Sequence, residues 1–367
     1  MPSVFFYISG HGYGHAVRQI EIINTLGRLA HRPLPIVVRT GASRWLFDRT
    51  LRVPVTFLPA QTDTGVVQID GLRLDEAETM RQAAAFYDTM PRRVEEEAEL
   101  LRAHDAAIVI SDAPPLGPAA AAAAGIPGVV CANFTWDWIY TAYAGDTPAT
   151  QAVLASIRTA YAAAEGWRMP FHGGFETLAA VSDIPLVARH AQDHLTHAAV
   201  RSRLGLGLEA KLLLVSFGGF GVRDLPLDRL DCLKGWQVIV TTRGERPALP
   251  AGVHAVEEAD LYGAALRYED LVGAVDVVLT KPGYGIVSDC IANGTAVLYT
   301  SRGRFPEYDV LVAEMPRYLR CRFIEMDRFL GGRWQAGLDA LDETAAPPER
   351  LRTDGATVVA RRILSRL

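Results

Sequence analysis

"VFFYISGHGYGHAVRQIEI", residues 4–22, decides how the chain is read. Its first five residues are apolar throughout, as in a strand buried on both faces of a parallel sheet, and residues 16–29 carry helical apolar spacing. Between strand and helix stand Gly10, Gly12 and Gly14 with His11 and His15. A dinucleotide turn needs G-x-G-x-x-G, the third glycine allowing close helix–strand packing, and that glycine is absent. Arg39 ends the next strand, "PIVVRTG", where an acidic residue would hold an NAD ribose. An NADP-type arginine keeps an oxidoreductase open as an alternative. The other reading is that alternating glycines bring the backbone close to a ligand while His15 faces a cleft. A neutral imidazole there could accept a hydroxyl proton, since a helix N-terminus disfavours imidazolium. The bland alternative is a histidine that packs at a tight turn.

Outward from this stretch, strand and helix alternate. "SVFFYIS", "PIVVRTG", "VPVTFLP", "AAIVISD" and "PGVVCANF" read as strands, with an Ala-rich helix in "LGPAAAAAAG". Residues 75–104 read as one helical region interrupted at Pro91, with the acids Glu95, Glu96 and Glu97 on its solvated face. The rhythm restarts at "AKLLLVSFGGFG" and continues through "WQVIVTTRG", "GVHAVEE", "VDVVLTKPG", "TAVLYTS" and "RCRFIEMD". The fold class is therefore α/β, with two Rossmann-like doubly wound domains facing across a cleft. We set the domains at residues 1–185 and 186–350, joined near "SDIPLVARHAQD", with 351–367 as a C-terminal helix expected to pack back toward the first.

The bulk properties narrow the partners. At 367 residues, one core is too small a unit and two domains are expected. A net charge of −5 offers no excess of cations for nucleic acid. Cys131, Cys232, Cys290 and Cys321 lack disulfide or metal spacing, which suggests reduced thiols and a cytoplasmic protein. No signal peptide and no bilayer-spanning stretch is evident. A homodimer is left open.

The candidate site residues lie at strand ends. Asp112 closes "AAIVISD" and could fix the tautomer of His15, or cap the next helix. In the second half, "SFGG" (Ser216 to Gly219) and "KPGYGIVSD" (Lys281 to Asp289) follow strands. Pro282, Gly283, Tyr284 and Gly285 would leave N–H groups at a helix start as a diphosphate seat, with Asp289 placed to meet ribose hydroxyls. His190, His194 and His197, with Asp193, would share a helix face; without a further ligand they read as a solvated linker helix, so no metal is expected. "NFTWDWIYTAY" could line an acceptor pocket or cap the sheet, and "RFPEYD" could offer carboxylates to a sugar.

These segments, with "GVVQIDGLRLD" and "IPLVAR", resemble GT-B glycosyltransferases, and more closely the N-terminal, non-kinase domain of plant L-arabinokinases and their stand-alone bacterial relatives. The resemblance spans nearly the whole chain and implies no sugar kinase activity. It implies an inverting, metal-independent transferase with no cofactor, taking a nucleotide diphosphate sugar and a hydroxyl or amine acceptor. It implies His15 as base, oriented by Asp112. Donor contacts would come from Arg189, Ser216, Gly218, Gly219, Pro282, Gly283, Tyr284, Gly285 and Asp289, the last where the family usually has glutamate. Contacts to acceptor or sugar would come from His11, Gly12, Arg18, Asp63, Gln68, Asp70, Trp136, Asp137 and Glu307. A non-catalytic sugar-nucleotide-binding module is the rival, and a sugar-nucleotide epimerase is a further alternative.

Overall fold

The computed structural model describes residues 2–217, 233–242, 249–250 and 252–367. The first sheet contains β1 (Ser3–Ile8), β2 (Ile36–Thr40) and β3 (Thr56–Pro59); a two-stranded hairpin, β4 (Val67–Gln68) and β5 (Leu74–Asp75), stands outside it. The sheet continues with β6 (Ala106–Asp112), β7 (Gly128–Phe134), β8 (Glu165–Gly173) and β9 (Ala180–Asp183), in the order β3-β2-β1-β6-β7-β8-β9 with every pair parallel. The second sheet holds β10 (Lys211–Ser216), β11 (Trp236–Thr242), β12 (Val253–Glu257), β13 (Val277–Thr280), β14 (Ala296–Tyr299) and β15 (Cys321–Phe323). Its order, β12-β11-β10-β13-β14-β15, repeats the same parallel winding. In each sheet the winding reverses beside its first strand, between β1 and β6 and between β10 and β13. Loops diverge there and open a crevice at the carboxyl ends of the strands.

Period-two burial explains β1. Val4, Phe6 and Ile8 pack with Ile20, Ile23 and Leu26 of the helix Gly12–Leu29, whereas Phe5 and Tyr7 pack with Leu116 and Ala120 of the helix Leu116–Ala124. That Ala-rich helix stops at Gly125, whose φ of +73° suits a residue without Cβ. The C-terminal helix Gly355–Leu364 lies against Gly12–Leu29, pinned by Leu186 N–H to the Arg352 carbonyl and Gly355 N–H to the Leu186 carbonyl, each at 3.0 Å. Among the described residues no helix is long and apolar enough to cross a membrane.

Two local expectations need correction. Residues 75–104 contain two helices, Glu76–Asp88 and Met90–Ala103, with Pro91 in the first turn of the second, where its missing N–H costs nothing. Glu95 and Glu96 are exposed, but Glu97 turns inward: it accepts from Tyr7 Oη at 2.6 Å and pairs with the Arg39 guanidinium. Arg39 is thus consumed inside the first domain, which removes the NADP-type phosphate contact. The histidine segment is also not one helix. Helix His197–Arg203 starts after Thr196, and His190 Nε2 instead meets Thr353 Oγ1 at 2.8 Å, so the three imidazoles share no face. No group of His, Cys, Asp or Glu that could hold a metal occurs among the described residues.

Candidate active site

The register places Ile8 beside Asp112, so the loop leaving β1 and the last residue of β6 emerge together. His15, in the first turn of its helix, sets Nδ1 2.9 Å from Asp112 Oδ1. Burial pushes the Asp112 carboxyl up, but the charges of Arg18 and then His15 outweigh it and hold the pKa at about 2. In the tautomer whose Nδ1–H donates to the ionised Asp112, the lone pair is left on Nε2; Arg18 Nη2 also lies 3.0 Å from the same Nδ1. Arg18, 3% exposed, donates Nε and Nη2 to the two Asp112 oxygens and Nη1 to Asn133 Oδ1 at 2.6 Å. Its guanidinium also lies over Tyr284 of the second domain, 4.9 Å from the ring centroid.

His11 is a different kind of histidine. Val66 N–H donates to its Nδ1 at 3.2 Å, and its Nε2 lies 3.3 Å from the Gln68 amide. Gln68 Oε1 is buried without a partner; turning the amide lets it accept from His11 Nε2–H. Burial foremost, then the positive charge around His15, Arg302 and Lys281, drives the imidazole well below its usual pKa. His11 is therefore neutral with both nitrogens engaged. Its ring stacks on Phe305 and meets the edge of Trp136.

A cavity of about 490 Å³ runs between the domains. His11, Gly12, Gly14, His15, Arg18 and Gln68 line it from the first domain. Arg189, Ser216, Gly283, Tyr284, Gly285 and Glu307 line it from the second. The glycine turns lie side by side: a Cβ on Gly285 would sit 3.4 Å from Gly14 Cα, and one on Gly14 3.9 Å from Gly285 N. Asn133 Nδ2 donates to Glu307 Oε1 at 2.8 Å across the same boundary. On the same lining Ser216 Oγ and Tyr268 Oη are 2.6 Å apart.

Several expected contacts lie elsewhere. Asp289 is 2% exposed, and both its oxygens accept from the Arg189 guanidinium, with Arg189 N–H at 3.2 Å. Its carboxylate anchors Arg189, a partner that the sequence reading did not foresee beside the ribose contact it expected. Asp63 accepts from Trp136 Nε1 at 2.8 Å, both buried beneath the histidine rings. Asp70 closes the β4–β5 turn, accepting from Leu72 N–H, Arg73 N–H and the Arg73 guanidinium. Asp137 faces Arg158, 3.7 Å away on the next helix. These four are not on the cavity lining; nor are Trp136 and Pro282. Gly218 and Gly219 lie outside the described residues.

The sequence reading passes over Lys281, Arg302 and Phe305, which line the same cavity. The available signal was a cation just ahead of the glycine turn, and a second one after the neighbouring strand.

Two Rossmann-like domains around such a cleft are the architecture of GT-B glycosyltransferases, and this chain has that fold. It superposes over its whole length on the calicheamicin glycosyltransferase CalG4, covering 98% of it, with a TM-score of 0.63 at 15% identity. It superposes likewise on the Streptomyces nogalater glycosyltransferase SnogD (99% covered, TM-score 0.57, 16% identity). For Phytolacca americana UGT2, in its complex with UDP-2-fluoro-glucose and pterostilbene, coverage is 94%, the TM-score 0.60 and identity 12%. In sequence the particular relative is the L-arabinokinase of Arabidopsis thaliana, 29% identical over 349 residues, 91% of this chain. The chain spans about a third (31%) of that protein. No sequence-family profile matches.

Proposed function

We propose that the protein is an inverting, metal-independent glycosyltransferase that moves a sugar from a nucleotide diphosphate donor to a hydroxyl or amine acceptor. The observation that carries this reading is the His15–Asp112 pair on one wall of a cleft whose other wall is the Gly283–Gly285 turn. The acceptor heteroatom attacks the anomeric carbon, His15 Nε2 takes its proton, and the bond to the diphosphate breaks. Residues 1–185 bind the acceptor and 186–350 the donor, with 351–367 closing on the first. The N-terminus of helix Tyr284–Asn293, Ser216 and Arg189 receive the departing charge, and Asp289 keeps Arg189 in place. The buried free thiols Cys131 and Cys290 support a cytoplasmic setting.

One observation favours a second reading, a sugar-nucleotide-binding module without catalysis: Arg18 already claims both oxygens of Asp112, which dilutes the support Asp112 can lend an imidazolium. A panel of UDP-glucose, dTDP-glucose and GDP-mannose separates the two. Thermal shift reports binding, and release of nucleoside diphosphate reports turnover. The transferase reading expects turnover that falls by about 10²–10⁴ in His15→Ala with the thermal shift kept. Binding without turnover under all acceptors favours the module, and His15→Ala turning over like the parent defeats the base.

A further inference from the structure

The cleft has an end that the diphosphate seat does not explain. There His11, Gln68, Lys281, Arg302, Phe305 and Glu307 lie close to one another on the lining, with Lys281 just ahead of the Pro282–Gly285 turn. Lys281 is half-buried, and its ammonium has no hydrogen bond or ion pair among the described residues. Arg302 is more deeply placed, its guanidinium 4.3 Å above the Phe305 ring. Its ion pair is long, Nη1 to Glu307 Oε2 at 3.8 Å, and Glu307 gives its other oxygen to Asn133.

The charges at this end do not cancel. Asp70 is near enough to Lys281 to favour its charge, but its oxygens are taken by Arg73 and the turn amides. His11 is neutral and bonded at both nitrogens. Two cations, Lys281 and Arg302, therefore face the single carboxylate of Glu307. Burial first and the neighbouring Arg302 second push the Lys281 ammonium down to about 7, so the empty site disfavours the charge that a bound anion would restore.

We infer that this end of the cleft receives a carboxylate carried by a sugar, so that the unit read beside His15 is a uronic acid, with Lys281 as its specificity-determining contact. Glu307, whose Oε2 meets Arg302 only at 3.8 Å, lines the same space and suits a sugar hydroxyl. The inference rests on the donor-site reading above and deepens it, because it fixes the chemical class of one sugar. The uronic acid can be the unit transferred or the acceptor, and the two sources are separable.

The test is calorimetric titration of the full chain with UDP, UDP-glucose and UDP-glucuronate, and of the UDP-saturated protein with free glucuronate. The parent, Lys281→Met and the charge-keeping Lys281→Arg are compared, with circular dichroism confirming that each folds. A donor uronic acid predicts UDP-glucuronate binding about tenfold or more tighter than UDP-glucose, a margin lost in Lys281→Met and largely restored in Lys281→Arg. An acceptor uronic acid predicts equal affinity for the two donors, with free glucuronate binding that Lys281→Met abolishes. If Lys281→Met weakens UDP, UDP-glucose and UDP-glucuronate by one common factor, Lys281 serves the diphosphate and the inference is overturned. It is overturned equally if the variant changes none of them. Failure of all three nucleotides to bind defeats the donor site instead, and free glucuronate then decides the inference by binding the parent and not Lys281→Met, or by binding neither.

Discussion

Arg18 grips Asp112 with two parallel donors, Nε to Oδ2 and Nη2 to Oδ1, both at 2.5 Å in a site where the carboxylate is fully buried. In a simple histidine–aspartate pair the imidazole is the strong partner of the carboxylate. Here the guanidinium is, and His15 shares Oδ1 with it. Gln19 adds a fourth donor, Nε2 to Oδ2 at 3.0 Å. The position of Asp112 is thus set by the scaffold before any substrate arrives, and His15 inherits its orientation from that arrangement.

Removing the guanidinium should be costly. Arg18→Met leaves a buried, ionised Asp112 with only His15 and Gln19 beside it, and a loss of about 3 kcal/mol is expected in urea unfolding at pH 7. The pH dependence follows from the depressed pKa. Asp112 titrates near 2 when folded and near 3.9 in an unfolded chain, so its stabilisation is present above about pH 4 and lost as pH falls toward 2. In Arg18→Met burial dominates, and that acid limb flattens or reverses. Equal stability of variant and parent at pH 7, with the same acid limb, would sink this account.

Asp63 behaves in the opposite sense. Burial raises its carboxyl to about 6, with the bonds from Ser9 and Trp136 opposing only in part. A raised folded pKa gives stability that is present below the unfolded value and lost as pH climbs through 6. Asp63→Asn keeps an acceptor for Trp136 Nε1 and removes the charge. It should be about 1–2 kcal/mol more stable than the parent at pH 7.5 and lose its advantage at pH 4. Melts across that range, read by tryptophan fluorescence, check it; a variant less stable at pH 7.5 refutes it.

Much of the fold was legible because burial on both faces of a parallel sheet writes continuous apolar runs, as in residues 4–8 and 212–215. The glycine turns were legible for a related reason: strand ends at a switch point need residues that let loops diverge. What escaped was pairing between distant residues. Nothing near Glu97 announces Arg39, and nothing near Asp289 announces Arg189, since both pairs form only when separate elements pack. The partners that Asp63, Asp70 and Asp289 find within the fold went unseen for this reason. A short polar segment shows which groups exist, not which of them the fold has already satisfied.

Gly65 tests how tightly the His11 end is built. Its φ is +60°, and a Cβ there would approach His11 Cβ to 2.7 Å, while its carbonyl accepts from Tyr140 Oη at 2.7 Å. Gly125 has a similar φ, +73°, with nothing within 4 Å of the added atom. Gly125→Ala therefore reports backbone strain alone, about 1 kcal/mol. Gly65→Ala adds the collision with the ring, and a total loss of about 2–3 kcal/mol is expected in urea unfolding. Equal losses in the two variants would mean that the His11 wall yields freely.

Lys281 supplies a pH signature that needs no ligand. Its folded pKa of about 7 lies below the value of about 10.4 expected in an unfolded chain, so the unfolded state holds more protons between those limits. Stability should therefore rise with pH from 7 to 10 by more in the parent than in Lys281→Met. The groups that face the ammonium are Arg302, which disfavours its charge, and Glu307 and Asp70, which favour it. His11 is neutral across this range and adds nothing. Guanidinium chloride, a salt, would screen these charges, so urea unfolding at low ionic strength is the suitable measurement. An anion seated on Lys281 reverses the slope: its binding draws in a proton above pH 7, and its affinity falls by up to about tenfold per pH unit from there. Parallel stability curves for the parent and Lys281→Met over pH 7–10 would show that the ammonium is solvated and that the cleft end carries no stored preference for an anion.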